Sequence, residues 1–531
     1  MKVPSVECRV PNTRHAFFRA FVSNSTMLQS SLDFNDVSIP GESIVPSKIS
    51  ICALMLIFTA VFAGEYTDPA PPLVVAELKP GAATLTPHPN VTFNKAPKAL
   101  PAGAVTSDWQ WFLGPTHDMK TTETKIAKTW PKDGPPLVWE MKRGTGYASP
   151  SVFGDKLVYL HREGNEEIVE CMKADSGERF WRFAYPTTYR DTYGYNNGPR
   201  ASALIAGGKV YTYGAQGVLH CLALETGQAL WKREINKEFK VPQDFFGTAT
   251  TPLLEGNFLV INIGAPEGPC VAAFDKDSGK MIWACDANGW GPSYASPVAG
   301  TVQGARRVFV FAGGKSRPPT GGLICIDPKN GAVDFTFPWR SATVESVNAS
   351  CPVIIGNQVF ISATYETGGA LINILPGFKH ELAWKSDDFG IHFMTPICEN
   401  GYLYGFDGRH DSNSALACFE VKSGKEMWRE MPRWKETVKI KNVEREIEVG
   451  DFRGSLLEAG GKFYCLGEAG HLQCWDLTPQ GLKEISRCWL FAAHETWTPL
   501  VLSKGLLYVV QNHEDEINGK PARLLCYDLR E

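Results

Sequence analysis

From Tyr147 onward, short stretches of alternating apolar and polar residues follow one another, separated by glycine-bearing turns. Period-two alternation sends successive side chains to opposite faces of a strand and leaves no room for the spacing of an amphipathic helix. The alternating stretches are themselves organised into a larger unit. It opens on Ser or Thr, usually followed by Pro, runs through three strands, and ends in a turn with Gly followed by Trp. The first copy reads Ser149-Pro150-Ser151-Val152, Lys156-Leu157-Val158-Tyr159, Ile168-Val169-Glu170-Cys171, then Asp175-Ser176-Gly177 and Trp181. Equivalent openings fall at Ser149, Ser202, Thr251, Ser296, Cys351, Thr395, Ser455 and Thr498. The period of about 50 residues suits four short strands with their turns. Eight such sheets arranged radially protect their edges by closing into a ring, so the pattern predicts an all-β, eight-bladed β-propeller of four-stranded antiparallel blades.

The last unit runs out at Leu525-Cys526-Tyr527-Asp528, where its fourth strand should begin. A matching strand stands before the first unit: Leu137-Val138-Trp139-Glu140 has the pattern of Ala229-Leu230-Trp231-Lys232 in the second. Residues 137–144 are therefore expected to complete the last blade and close the ring, within a propeller spanning 108–531.

The turn-and-Trp segments carry a family resemblance. Ala223-Leu224-Glu225-Thr226-Gly227-Gln228-Ala229-Leu230-Trp231, Asp277-Ser278-Gly279-Lys280-Met281-Ile282-Trp283 and Lys422-Ser423-Gly424-Lys425-Glu426-Met427-Trp428 resemble the tryptophan-docking motif of the pyrroloquinoline-quinone-like, quinoprotein alcohol dehydrogenase-like propellers. At the level of fold the chain also resembles the propeller subunit of the bacterial outer-membrane protein assembly machinery. The Gly of the motif can take positive φ, and the Trp offers a flat face to a neighbouring sheet. Trp139, Trp181, Trp231, Trp283, Trp384 and Trp428 are thus expected to pack between blades, with Phe335 replacing Trp in the fourth unit and Trp489 displaced in the seventh.

Fourteen cysteines at first suggest disulfides. Six of them, Cys171, Cys221, Cys325, Cys418, Cys474 and Cys526, share one third-strand position, where the third unit has Ala273 and the fifth is read as Asn373. A small residue recurring at a packed position reads as core. Cys270 with Cys285 and Cys465 with Cys474 are candidate pairs across hairpins, against the alternative of free buried thiols.

Ahead of the repeats, the apolar run Ile49–Phe62 follows Lys48 and leads into Val61-Phe62-Ala63-Gly64. It is shorter than the roughly 20 residues of a membrane span. A basic residue, a short apolar core and small residues at the exit read as a secretory signal peptide within 1–64, cleaved near Ala63. The long segment before it is read as an over-extended start, with Val45 as a candidate initiator. Cys52 lies near the start of the apolar core and no Cys follows its exit, so a lipid anchor is not expected. Residues 65–107 carry eight prolines and few large apolar groups, a composition expected of a flexible leader.

Charge adds little, since a formal net charge of -4 gives no footing for a nucleic-acid partner. The residues just before each first strand should rim one end of the channel, where propellers bind ligands: Tyr147, Arg200, Tyr294, Asn348, His392, Arg453 and Glu495. Asn196-Asn197-Gly198-Pro199-Arg200-Ala201-Ser202 resembles the entry segment of secreted propellers of this family. No CxxC, HExxH or dense Cys/His cluster occurs, so no metal site is expected. The resemblance implies, for a dehydrogenase, pyrroloquinoline quinone with calcium or a lanthanide. The adjacent Cys-Cys pair of those enzymes and a CxxCH for haem are both missing here, so no cofactor is expected. His410-Asp411 and His494-Glu495 resemble acid/base pairs but lack a nucleophile motif. Arg433–Val449 reads as an extra exposed hairpin, a solvated decoration in preference to a partner-docking arm. The leading expectation is a secreted or periplasmic, non-catalytic scaffold for a protein or polar ligand. A quinone-dependent alcohol or sugar dehydrogenase and a carbohydrate-binding propeller are the alternatives.

N-terminal sequencing of the exported protein should find a mature chain starting close to Gly64. A mature chain starting before Ile49 would contradict the export reading.

Overall fold

The computed structural model describes residues 66–531, apart from 72, 80, 244, 245, 411, 441 and 442. The signal-peptide assignment of residues 1–64 lies outside the described residues. Among those described, no helix is long and apolar enough to cross a membrane.

Seven consecutive units each form one antiparallel sheet of four strands; blade 1, for instance, holds Ser151–Phe153, Lys156–Glu163, Glu166–Lys173 and Arg179–Pro186. Blade 8 takes three strands from the end of the chain, Val501–Ser503, Leu506–Val510 and Arg523–Asp528. Its fourth is Leu137–Lys142, antiparallel to Arg523–Asp528 with Trp139 opposite Cys526. The two ends of the propeller sequence therefore share one sheet.

Two contacts repeat around the ring. On the inside, over blades 1 to 4, the backbone N–H of one opening residue donates to the side chain of the next blade's opening residue: Ser149 to Ser202 Oγ at 3.1 Å, Ser202 to Thr251 Oγ1 at 3.0 Å, Thr251 to Ser296 Oγ at 2.9 Å. A hydroxyl at the opening of these units thus serves to link neighbouring blades. Further out, each docked Trp donates its indole N–H to a carbonyl in the following blade. Trp139 reaches Ala174, Trp181 Leu224, Trp231 Lys276, Trp283 Pro328, Trp384 Val421 and Trp428 Thr478, all at 2.7–3.2 Å.

The indole lies on the turn glycine of that next blade. A Cβ on Gly227 would stand 2.5 Å from Trp181, and one on Gly279 2.8 Å from Trp231. Both glycines have φ near +70, which L side chains disfavour. The cysteine position faces this Trp across the strand pair: Cys171 opposite Trp181, Cys221 opposite Trp231, Cys418 opposite Trp428. A one-residue register shift follows each of these pairs.

One expectation about that position is corrected. In blade 5 the residue opposite Trp384 is Leu371, whereas Asn373 faces Glu381. The turn there includes a short 3-10 segment, Pro376–Phe378, that lengthens the connection and displaces a count made from the Trp. The cysteines described are free thiols. Cys465 lies opposite Gln473, which puts Cys474 on the other face of its strand. Burial pushes the Cys285 thiol up to about 12, so it is a packing group rather than a nucleophile.

Residues 66–107 are not a loose leader. Although proline-rich, they run along the outside of the ring and satisfy strand-edge groups that would otherwise face solvent. Asp68 bonds Arg233 at 2.7 Å and the Met281 N–H at 2.9 Å. Ala76 donates to Leu230 O, Ala83 to Glu225 O, and Thr86 exchanges two bonds with Arg179. Val91–Phe93 then adds a fifth strand to blade 8 by pairing with Trp139–Met141. Polar edge contacts do here what apolar burial does not.

The next segment closes one end of the channel. Trp109 exchanges backbone bonds with Val152 of blade 1, Gln110 O accepts from Ile205 of blade 2, and Trp111 Nε1 donates to Pro252 O beside blade 3. Lys120–Thr121 pairs in parallel with Glu458–Ala459 of blade 7, while buried Glu123 accepts from the Lys504 and Gly505 N–H groups of blade 8. The chain then enters the blade 7–blade 8 interface, where Ser486 occupies the position of a docked Trp. Ser486 Oγ donates to Lys128 O at 2.7 Å, and the Tyr464 hydroxyl to Ala127 O at 3.0 Å. In the blade 4–blade 5 interface, Phe335 stacks on His380 with centroids 4.4 Å apart.

Removing a docked indole leaves a cavity between sheets, so Trp231→Ala should cost about 3–5 kcal/mol. Gly279→Val, which drives a side chain into the same indole, should lower the urea midpoint as well. Equilibrium unfolding checks both, and wild-type midpoints would refute the clasp.

Candidate functional site

At the end of the ring opposite the 107–123 segment lies a cavity of about 320 Å³. Its lining comes from two sets of loops. The connections leading into each first strand supply Tyr147, Arg200, Tyr294, His392, Arg453 and Trp497; the turns between second and third strands of blades 5 and 6 supply Tyr365 and Arg409. Phe112, from the segment that closes the opposite end, also reaches it. The result is a cup rather than an open pore.

Five of the seven residues expected at the rim thus share one cavity. Tyr294 packs its ring against Phe246 at 5.4 Å, and Arg200 lies over Tyr147 and Phe246 while bonded to Asp191. Arg453 is held by Glu468 and lies 5.0 Å over Trp497. His392 Nε2 is 3.1 Å from the Tyr365 hydroxyl. The other two do not line the cavity. Glu495 stands behind it, accepting from the Tyr147 hydroxyl at 2.8 Å. Asn348 is buried in the wall and donates to Ala312 O at 2.9 Å and Trp339 O at 3.2 Å.

Several lining residues escaped the sequence reading. Tyr365 and Arg409 sit in the second loop set, which no recurring Ser or Thr marks in the sequence. Tyr193, Tyr195 and Phe246 lie inside long entry loops, several residues away from the opening Ser or Thr. Trp497 was the legible omission, since it directly precedes Thr498. It is the hub of the aromatic wall, with Tyr147, Tyr195 and Phe393 at 5.5, 5.8 and 5.3 Å.

The electrostatics of the cup follow from its pairings. Arg200 and Arg453 are each neutralised by a carboxylate behind them. Arg409 lies 4.4 Å over the Tyr365 ring and makes no ion pair among the described residues. Burial, reinforced by Arg453 and Arg409, lowers the His392 pKa to about 3, so this imidazole is neutral across the physiological range. Among the described residues, its Nδ1 has no partner, and neither does the buried Ser455 Oγ on the cavity wall. Burial, followed by the charge of Glu495, pushes the Tyr147 phenol well above its usual range and keeps it protonated.

These groups suit a ligand with a flat face, an acidic group for Arg409, and donors or acceptors for His392 and Ser455. They do not suit calcium or a lanthanide. Such hard cations take six to eight oxygens, and Glu345 is the only carboxylate among the described residues lining the cavity. His410 also lines the cavity, whereas its neighbour Asp411 lies outside the described residues.

Solved structures share the architecture at low identity. The quinohemoprotein alcohol dehydrogenase of Comamonas testosteroni is 12% identical over 81% of each chain, with a TM-score of 0.55. The quinohemoprotein alcohol dehydrogenase ADHIIG of Pseudomonas putida HK5 is 10% identical over 78% of each chain, with a TM-score of 0.51. BamB from Moraxella catarrhalis is 15% identical, covering 74% of this chain and 98% of its own, with a TM-score of 0.47. At these identities the likeness is one of fold. No curated protein matches the chain. A family model described as outer membrane protein assembly factor BamB matches residues 165–430, half of the chain, and with the docked tryptophans and eight blades it places this protein in the pyrroloquinoline-quinone-like propeller family.

Proposed function

We propose that this propeller is an exported binding protein, without a catalytic step of its own, that holds a small flat-faced organic acid in its axial cup. The observation carrying this reading is the combination of an aromatic wall with Arg409, a guanidinium that has no ion-pair partner among the described residues. The cavity volume lies at the lower end of the range of about 300–1,000 Å³ for small-molecule sites. The blind end favours a ligand that enters and leaves by the same mouth. An acidic sugar and an aromatic carboxylate both present the required chemistry, because a sugar's CH face and an aromatic ring can each lie on Tyr or Trp.

Export is supported by the apolar run at 49–62 and by a family whose description concerns the outer membrane. A periplasmic or extracellular site is the corresponding location. That description also supports an envelope protein as a partner. The hairpin Arg433–Ile440 with Val443–Gly450 forms a two-stranded sheet separate from the blades, anchored by Trp434 beneath the Arg487 guanidinium at 4.1 Å.

Quinone-dependent dehydrogenation is the second reading, favoured by the architecture shared with the quinohemoprotein enzymes. The cup fits the planar acid better than it fits the accompanying cation. Pyrroloquinoline quinone bound here would therefore be held as a ligand, by stacking and by Arg409.

Calorimetric titration with pyrroloquinoline quinone and with glucuronate-bearing oligosaccharides should reveal micromolar binding of at least one probe. Loss of a charge-assisted hydrogen bond, worth about 1.5–3 kcal/mol, should make Arg409→Gln bind it roughly tenfold or more weakly. Silence towards both, or unchanged affinity in the variant, contradicts the reading. Dye reduction with alcohols or aldoses, after adding the quinone with calcium or a lanthanide, would replace it by the dehydrogenase.

A further inference from the structure

Beside the cup, blade 8 brings together side chains from two loops that are well separated in sequence. His494 and Glu495 belong to the loop entering its first strand, and His513 to the turn between its second and third strands. One ring nitrogen from each histidine and one oxygen of Glu495 lie within 4.8 Å of one another. The imidazoles face each other with centroids 4.3 Å apart and planes inclined by 23°. We propose that His494, Glu495 and His513 are a binding site for a divalent transition-metal ion at the mouth of the cup.

The donor set determines the kind of ion. Two imidazoles and one carboxylate are ligands of zinc, iron, manganese and their neighbours, whereas calcium and magnesium require mostly oxygen. Three protein ligands leave coordination positions open for water or for an acidic group.

The surroundings resemble the outer contacts that orient metal ligands. Glu516 Oε1 lies 2.5 Å from His494 Nδ1 and can fix the orientation of that ring. The Tyr147 hydroxyl donates to Glu495 Oε2, which is also 2.9 Å from His513 Nε2. Both loops are tied down next to the ligands. Asn512 Nδ2 donates to Thr498 Oγ1 at 3.0 Å and to Gly146 O at 3.1 Å, and Gln511 Nε2 donates to His513 O at 2.7 Å.

Glu495 itself is a non-glycine residue at φ 54, and the Thr496 N–H that follows it is held by Glu468 O at 3.1 Å. This holds the carboxylate against His513, with Oε2 2.9 Å from Nε2. The three side chains are 20–36% exposed, which lets an ion enter from solvent without rearrangement of the core. No sequence signature announces the site, because its ligands are a dipeptide and a single histidine eighteen residues further on. The proposal does not depend on what occupies the cup.

The test uses the full chain without an affinity tag, stripped with a chelator and dialysed. Zinc titration by calorimetry should give one ion per chain. His494→Gln and His513→Gln should each weaken binding by about 100-fold or more, as the loss of one of three ligands requires. His380→Gln, on the outer strand of blade 5, should bind as the wild type does. Copper(II) loaded at one equivalent into the wild-type protein should show electron paramagnetic resonance with hyperfine coupling to two imidazole nitrogens, a readout independent of whether the variants fold. Binding well below one ion per chain, millimolar affinity, a copper spectrum without two imidazoles, or retention of the zinc site by the His494→Gln/His513→Gln double variant would overturn the proposal.

Discussion

An indole from one blade lying on a bare glycine turn of the next is the contact on which this ring depends. Each sheet is too small to bury both faces, and its outer strand is an edge. The clasp answers both needs: it fills the wedge between twisted sheets with the largest apolar side chain, and the indole N–H ties the sheets at a fixed height through a carbonyl. Because the glycine turn has no Cβ and takes positive φ, the geometry cannot be met by substituting either partner alone. Six interfaces are built this way, and the two exceptions are filled by other means. Phe335 with His380 serves one, and residues 126–130 serve the other.

That last exception links the fold to the site. A chain segment is needed at the blade 7–blade 8 interface, and the same segment, on its way there, crosses the channel and touches the inner strands or their approaches in several blades. The closed floor of the cup is thus part of what holds the ring together. Above it, the entry loops carry aromatic and charged groups, with packing left to members such as Asn348 and to the opening hydroxyls that link neighbouring blades. The division of labour is between an inner ring of small hydroxyls, fixed by architecture, and the residues just ahead of them, which are available for binding.

How much of this was legible depended on whether a feature repeats. The blades, their number and the docked tryptophans could be read because each occurs with a period near 50 residues, so one ambiguous copy is corrected by seven others. Tyr147, Arg200, Tyr294, His392 and Arg453 could be placed on a rim for the same reason, by their offset from a recurring Ser or Thr. What occurs once was harder. The Pro-rich segment at 66–107 has the composition of a tether, yet it is fixed by backbone bonds to strand edges, a kind of contact that composition does not report. Leu371 was missed because an inserted turn in blade 5 shifts the count. Arg409 and Tyr365 belong to a second loop set, and only closure of the ring brings that set to the same cavity.

The family's name describes the packing of these repeats; on the proposed reading, what the protein binds is decided by the loops at one end. The most direct test of this account is a high-resolution structure of the protein isolated with its natural ligand, or co-crystallised with the tightest-binding acid found. The account predicts density inside the cup, stacked against the wall built around Trp497, with an acidic group on Arg409 and a polar atom on His392 or Ser455. Ligand density at the outer edges of the blades or on the 433–450 hairpin, with the cup holding only water, would contradict it.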